Sequence, residues 1–412
     1  MTTPAPMLSL DDALTTLMAA VKPWTIDQSE SVSSFDACHG VMGRVLAESV
    51  VSDLDVPAQD NSAMDGYALR SADALQAGAV LPVSQRVPAG TVPLPLQPGT
   101  AARIFTGAPL PPGADSIAMQ EQCELLDNSR VRINIAMQAG AWVRQRAEDV
   151  AHGQVVLQAG ERLTPQALGL AASVGAARLR VMRRPRVALF STGDELVMPG
   201  ESLRAGAVYN SNRFTLCAML CAMGCDVNDL GIVPDRLDAT RQALRDAATG
   251  HDLILTSGGV SMGEEDHLRP AVQLEGKLEL WQIAIKPGKP LAFGHVGEAI
   301  FMGLPGNPVS SFVTFMLAVR PVLLRLQGAN PDLPTALATR ANFDWPRAGQ
   351  KPEKRREFLR VRLNEQGGLE LFANQSSGVL TSTVWGTGLV DNPGGQVIRA
   401  GDMVAYLPFG CF

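Results

Sequence analysis

Apolar residues recur with a helical period from Ser9 to Val21. Leu10, Ala13, Leu14, Leu17 and Val21 share one face, and Ser9 or Asp11 stands where a helix needs a cap. Val41 to Glu48 predicts a second, shorter helix. Thr164 to Val174 predicts a third, with Thr164 as cap and Pro165 at the first helical position. From Arg186 the texture changes to short apolar runs alternating with amphipathic segments. Strand Val187–Phe190 precedes a helix from about Ser211 to Met223. Strand Val227–Val233 precedes a helix at Asp238–Ala248, and strand Asp252–Leu255 a helix at Asp266–Leu274. Leu278–Ile285 and Ala299–Met302 are two further strands, and a long helix runs from Pro308 towards Leu326 with Asn307 as its cap. Strands that alternate with helices in this way predict a doubly wound parallel sheet.

The flanks read differently. Ala79 to Glu124 is rich in Pro and Gly with short apolar runs at Ala102–Phe105 and Ser116–Met119, and Val131–Ile135 alternates as a half-buried strand does, so a small β-rich unit is expected. After a linker at Gln327–Pro334, Glu357–Asn364 and Gly368–Phe372 read as paired strands, and Val397–Leu407 closes a second small β domain.

Composition narrows the class. The chain has 412 residues, 46% of them hydrophobic and 18% charged, which supports several folded domains. A formal net charge of -6 with no basic tract argues against a nucleic-acid partner, so any anionic ligand must be met by local positive charge. Met1–Leu10 lacks the pattern of a signal peptide. The most apolar stretch, Phe312–Leu326, is cut by Arg320 and Pro321, and no membrane span is expected. Six cysteines are too sparse for a disulfide scaffold, and a reducing cytoplasm is the expected location. Cys217, Cys221 and Cys225 form a helical stripe that reads as core rather than metal site. Arg355, Arg356, Arg360 and Arg362 read as a solvated strand face.

Candidate chemistry gathers in loops. Leu253–Asp266, LILTSGGVSMGEED, is an apolar strand breaking into glycines and ending in three acids. Glycines let backbone N–H groups approach a phosphate, and the acids suit a cation beside it. Other polar loops are Asp60–Ala68, Thr106–Pro109, Val143–Val150, Ser191–Leu196, Pro234–Arg236, Lys286–Pro290 and Gly303–Pro308. Those of the α/β region follow strands, and in doubly wound sheets ligands bind beyond the carboxyl ends of the strands.

Six of these strings together resemble the molybdopterin molybdenumtransferase (MoeA) family, to which the gephyrin E domain is homologous. They are DNSAMDGYA at Asp60–Ala68, FTGAPLP at Phe105–Pro111, FSTGDEL at Phe190–Leu196, SGGVSMGEED at Ser257–Asp266, IKPGKP at Ile285–Pro290 and GLPGNPVS at Gly303–Ser310. The resemblance spans nearly the whole chain. It implies a multi-domain α/β plus β fold: a helical and linker region at 1–52 and 147–183, an inserted β-rich domain at 53–146, a central α/β domain at 184–328 and a C-terminal β-barrel at 329–412. It also implies a homodimer with a cleft shared between subunits.

The implied reaction inserts molybdenum from molybdate into adenylylated molybdopterin and releases AMP with magnesium as cofactor. By motif, Asp60, Thr106, Asp149, Glu195, Asp235 and Asp266 carry over as catalytic positions, with Asp235 and Asp266 as the metal carboxylates. Ser257, Gly258, Gly259, Ser261, Gly306 and Asn307 carry over as substrate-binding. Lys286, Lys289, Pro290, Arg360 and Ser377 carry over to the molybdate pocket. Two lysines and an arginine fork suit a dianion. Departures from the family pattern fall at Ala147, where glycine is usual, at Ser376 and at Trp385–Gly388. If position 147 needs a positive φ, its loop must be reshaped. A molybdopterin adenylyltransferase and the recipient molybdoenzymes are implied partners. The competing readings are an adenylyltransferase, which has no need of the flanking β domains, and a non-catalytic carrier or scaffold, which would bind the pterin without turnover.

Overall fold

Ser9 caps the first helix as its sequence requires. Its Oγ accepts the Asp12 N–H at 3.0 Å, and the helix runs Leu10–Ala20 with Leu10, Ala13 and Leu17 buried. The computed structural model to which this helix belongs describes residues 7–36, 40–127, 129–260 and 267–412.

The centre of the molecule is a six-stranded sheet in the order Asp226–Val233, Arg186–Thr192, Leu253–Ser257, Ala299–Leu304, Pro290–Val296 and Gly276–Gln282. The first four strands are parallel. An antiparallel hairpin extends them, with Pro290–Val296 paired to Ala299–Leu304 on one side and to Gly276–Gln282 on the other. The sequence reading missed the strand Pro290–Val296, because its apolar run is short and broken by proline and glycine. Successive side chains enter opposite faces. Leu189, Leu253 and Leu255 join a core with Leu17, Leu216 and Leu317, whereas Ala188, Phe190 and Ile254 join a second core with Leu244, Leu268 and Val272. Cover on both faces is what a parallel sheet needs.

The long helix that follows the sheet is interrupted. It runs Pro308–Thr314, widens into a π turn at Phe315–Val319 and continues Arg320–Leu326. Pro321 has no N–H to donate to the preceding turn, and the widened turn lets the chain carry it without a break. The run is long and apolar enough to cross a membrane, yet 83% of its most apolar window is buried inside the protein.

Val41–Glu48 is not the expected second helix. Gly43 takes φ +75°, and Val45 and Leu46 form antiparallel bridges with Arg162 and Val181. Three short antiparallel ribbons instead carry the chain from the α/β domain to the inserted one: Ser29–Ser33 with Arg178–Met182, Val50–Val51 with Val155–Leu157, and Asn61–Ser62 with Val143–Arg144. The inserted domain is a six-stranded sheet in the order Ser116–Met119, Gly66–Leu69, Ala101–Ile104, Ala79–Val87, Arg130–Ile133 and Cys123–Leu126. In the C-terminal domain five strands close into a barrel: Arg356–Leu363, Gly368–Leu371, Leu337–Ala341, Met403–Pro408 and Gly388–Asn392, the last pairing back to the first. Ile285–Lys286 adds to its edge through Arg356 and Glu357, so the Lys286 loop bridges the α/β domain and the barrel.

Candidate active site

A cavity of about 600 Å³ opens at the carboxyl ends of the parallel strands. Ser257, Gly258, Gly306, Asn307 and Glu195 line it, with Gly378 reaching in from the barrel. Gly258 sits at φ +91°, and a Cβ there would lie 2.5 Å from the Thr192 carbonyl, so only glycine fits. Gly259 also takes a positive φ. Asn212, which no motif singles out, ties the two turns together: its Nδ2 donates to Ser257 Oγ and to the Gly306 carbonyl, both at 2.8 Å. Two buried polar atoms in the wall have no protein partner, Thr192 Oγ1 and Asn210 Nδ2. Asn210 uses its other amide atom to cap helix Ser211–Ala222, accepting the Arg213 N–H at 3.2 Å. A buried polar group without a partner is costly, so these two favour a ligand with polar groups of its own.

Asn307 does not cap its helix with its side chain; Ser311 instead bonds the Pro305 carbonyl through its hydroxyl. Asp235 follows the strand next to the one that leads to Glu195, and its N–H donates to Asp194 Oδ1 at 3.3 Å. Ser261 and Asp266 lie outside the described residues. Among the described residues, no group of three or more His, Cys, Asp or Glu side chains is placed to hold a metal. Glu195 and Asp235 do offer hard oxygen donors at neighbouring strand ends, the donor type magnesium takes.

A second cavity, of about 730 Å³, lies against the barrel and is lined by Lys286, Arg347, Lys351, Lys354, Gln375 and Ser376 among others. Lys286 is not bare. Its Nζ lies 3.2 Å from Glu357 and 3.7 Å from Glu353. Glu357, 2% exposed, also accepts Trp345 Nε1–H at 2.7 Å. The Arg355 guanidinium holds the Glu353 carboxyl down at about 2. Arg360 is 1% exposed, and burial pulls its guanidinium down to about 10. Its fork donates to Ser382 Oγ and to the carbonyls of Phe358 and Ser376, each at 3.2 Å. Gln375 closes the grip by bonding both the N–H and the carbonyl of Arg360. Arg360 therefore positions the loop that carries Ser377, whose carbonyl accepts the Val309 N–H at 3.0 Å. The two cavities share that loop: Ser376 lines one and Gly378 the other. Lys289 is exposed, its carbonyl accepts the Ile283 N–H at 2.9 Å, and Pro290 starts the next strand. The other arginines of the strand are paired: Arg355 with Glu353, Arg356 with Asp391 and Asp11, and Arg362 with Glu370.

Asp60, Thr106 and Asp149 belong to a third place, on the inserted domain. Asp60 Oδ1 accepts the Arg146 N–H at 2.8 Å, and the Asp60 carbonyl accepts the Leu110 N–H at 2.9 Å. Thr106 gives both its N–H and its hydroxyl to Asp65 Oδ1, each at 2.8 Å. The Asp149 N–H donates to the Val56 carbonyl at 3.0 Å. These bonds run within the inserted domain and its ribbons. Asp65 was missed because nothing in its motif marks it apart from any turn aspartate. Ala147 does adopt a positive φ, +60°, and so keeps the turn at a steric cost instead of reshaping it. Cys217, Cys221 and Cys225 do not form one core stripe: helix Ser211–Ala222 ends before Cys225, Cys221 is exposed and Cys217 half-buried, and only Cys225 lies in the core, where burial pushes its thiol up to about 12.

Comparison with known proteins places these features. Residues 8–175 match the MoeA N-terminal region (domain I and II), residues 188–325 a probable molybdopterin binding domain, and residues 345–409 the MoeA C-terminal region (domain IV). The chain is 39% identical to the molybdopterin molybdenumtransferase of Haemophilus influenzae over 367 residues, 89% of each protein. It is 36% identical to molybdopterin molybdenumtransferase 2 of Mycobacterium tuberculosis over 391 residues, 92% of each. It is 32% identical to gephyrin of Dictyostelium discoideum over 70% of this chain and 46% of that one. The crystal structure of the molybdopterin biosynthesis MoeA protein of Pyrococcus horikoshii superposes with a TM-score of 0.83 at 27% identity, covering 98% of this chain and 100% of that one. Sequence, domain order and fold agree: the chain belongs to the molybdopterin molybdenumtransferase (MoeA) family, transferases of molybdenum cofactor biosynthesis.

Proposed function

We propose that this transferase takes adenylylated molybdopterin and molybdate, inserts molybdenum at the dithiolene sulfurs and releases AMP. The observation that carries this reading is a pair of cavities that share the Ser376–Gly378 loop, with Ser376 in the wall of one and Gly378 in the wall of the other. One holds glycine turns and unpartnered polar atoms for a phosphorylated pterin. The other holds cations for an oxyanion. On this reading Ser257, Gly258, Gly259, Ser261, Gly306 and Asn307 bind the pterin and its phosphates. Lys286, Lys289 and Pro290 face molybdate, with Arg360 and Ser377 shaping the wall between. The residues mainly hold two anions together that otherwise repel.

Asp235 and Asp266, with Glu195 nearby, would hold magnesium, which when bound offsets negative charge as the phosphoanhydride breaks. Asp60, Thr106 and Asp149 sit on a different domain from these cavities. A homodimer in which one subunit's inserted domain faces its partner's cleft gives them a role, and we propose that assembly. Free thiols at every described cysteine suit a reducing cytoplasm, where an adenylyltransferase would supply the substrate and apo-molybdoenzymes would take the product.

The test is turnover. Purified protein receives adenylylated molybdopterin and magnesium, with and without molybdate, and AMP is followed. Release that depends on molybdate, abolished by Asp266→Asn and weakened by Lys286→Ala, is expected. ATP consumption would point to the adenylyltransferase instead. Tight pterin binding without AMP under any oxyanion would leave a carrier.

A further inference from the structure

Thr106 is exposed, and its hydroxyl lies 2.8 Å from Asp65 Oδ1, which also takes the Thr106 N–H at 2.8 Å. An ionised carboxylate can only accept. The two bonds from Thr106, the backbone one foremost, hold the Asp65 carboxyl below its usual range, so it stays ionised near neutrality. The hydroxyl proton of Thr106 is thus given to Asp65, and the remaining lone pairs of its oxygen are left for what approaches. The Asp65 carbonyl accepts the Gln120 N–H at 3.0 Å, and Arg103 donates to the neighbouring Gly66 carbonyl at 3.0 Å, so the backbone that carries the carboxylate is held in place.

We infer that Asp65 is a positioning residue that makes Thr106 an obligate hydrogen-bond acceptor, so that the inserted domain contacts an electropositive group and not an oxyanion. This rests on the reading under Proposed function, and it deepens it by assigning which part of the substrate complex meets this face. Two sources carry the required chemistry, an N–H or amino edge of the pterin ring and a hydrated magnesium ion. Phosphate and molybdate oxygens do not, because they are acceptors too. The neighbouring Asp60 carboxylate strengthens the preference, since its Oδ1 is anchored by the Arg146 N–H and the group brings only acceptors to the surface.

Four variants test this: Thr106→Val, Thr106→Ser, Asp65→Ala and Asp65→Asn. Asparagine keeps an oxygen where both Thr106 bonds end, and the Thr106 N–H fixes its orientation. Thr106→Val and Asp65→Ala should therefore lower kcat/KM for AMP release about tenfold to a hundredfold, while Thr106→Ser and Asp65→Asn stay within about threefold of the parent. Titrations separate the sources. A raised magnesium requirement in Thr106→Val identifies the cation, and a raised KM for the pterin at saturating magnesium identifies the ring edge. Thermal melting of each variant controls for folding.

Wild-type activity in Thr106→Val overturns the inference, as does an Asp65→Asn variant as impaired as Asp65→Ala, which would make charge the issue and not orientation. Calorimetric binding of the pterin substrate to the same set does not depend on turnover. Wild-type protein that releases no AMP sinks the reading of the function. Equal binding by the wild type and Thr106→Val, at limiting as well as at saturating magnesium, sinks the present inference.

Discussion

The cavity beside Lys286 and the turn that carries Thr106 present opposite kinds of group. The first gathers cations, Lys286, Arg347, Lys351 and Lys354, around a space of about 730 Å³. The second gathers acceptors, Asp60, Asp65 and the remaining lone pairs of Thr106. They also differ in how their charges are kept. Lys286 is held between two carboxylates of the barrel, whereas Asp65 is held by hydrogen bonds from a single threonine. The cationic cavity thus resembles a closed circuit that an anion must enter by competition, and the acceptor turn is already fixed for what approaches it. On the proposed reading an oxyanion needs the first, and a cation or a ring N–H would suit the second.

The sharpest way to break this comparison is to invert one side of it. Lys286→Glu puts a third carboxylate beside Glu353 and Glu357. Molybdate-dependent AMP release should fall by roughly a hundredfold or more, the scale for removing a group that stabilises charge in a reaction. Pterin binding in the cavity of Ser257 and Asn210 should survive, since Lys286 does not line it. Calorimetry with pterin alone, beside the turnover assay, reads both. Loss of pterin binding as well would show that the two cavities are one site.

A step smaller is Glu357→Ala. It strips a partner from Lys286 and from Trp345 Nε1 at a buried position. Removing one member of a buried pair typically costs about 3–5 kcal/mol, and the partial exposure of Lys286 brings the expected loss to about 2–3 kcal/mol. Urea unfolding measures it. An unchanged midpoint would mean that Glu357 is tolerated rather than needed.

How much of this contrast was written plainly in the sequence depends on how local its causes are. The caps at Ser9 and Thr164 are local, and both side chains accept the N–H three residues on. The continuous apolar runs in Arg186–Thr192 and Leu253–Ser257 are local too, and their succession with amphipathic segments placed the parallel core and the crevice at its carboxyl ends. Val41–Glu48 looked helical because its apolar spacing is ambiguous over so few residues, and the bridges to Arg162 and Val181 that override it come from distant parts of the chain. Neutralisation of Lys286 was out of reach for the same reason, as Glu357 lies 71 residues away. So was the inward turn of Arg360, which a strand of alternating charges disguised as one more solvated arginine. Motif resemblance found Asp60 and Thr106. It gave no hint that Asp65 decides which way the Thr106 hydroxyl points.

Ala147 tests the acceptor side with a gain instead of a loss. A Cβ in the left-handed region costs about 1–2 kcal/mol, and a glycine gives back part of that through the freedom of its unfolded chain. Ala147→Gly should therefore stabilise the protein by about 0.5–1 kcal/mol, seen as a higher denaturation midpoint. Because the Ala147 N–H bonds the Pro57 carbonyl at 3.0 Å and the next loop residues lead to Asp149, activity should hold or rise. A fall in stability would show that the methyl group has packing that outweighs its strain.

The smallest expected effect sits on the cationic side and depends on pH. The folded state holds Glu353 at about 2, first through its hydrogen bond from Arg355, against 4.5 for the ordinary carboxyl. A depressed carboxyl stabilises the fold fully above about pH 4.5 and loses that contribution as the pH falls towards 2. Solvent at the cavity mouth screens the pair, so the share is below about 1 kcal/mol. The urea midpoint of Glu353→Gln should trail that of the wild type at pH 7, and the gap should close between pH 4.5 and 2.5. A gap that does not change with pH would assign the effect to packing. Lys286 would then owe its neutralisation to Glu357 alone, and an incoming oxyanion would compete with one carboxylate and not two.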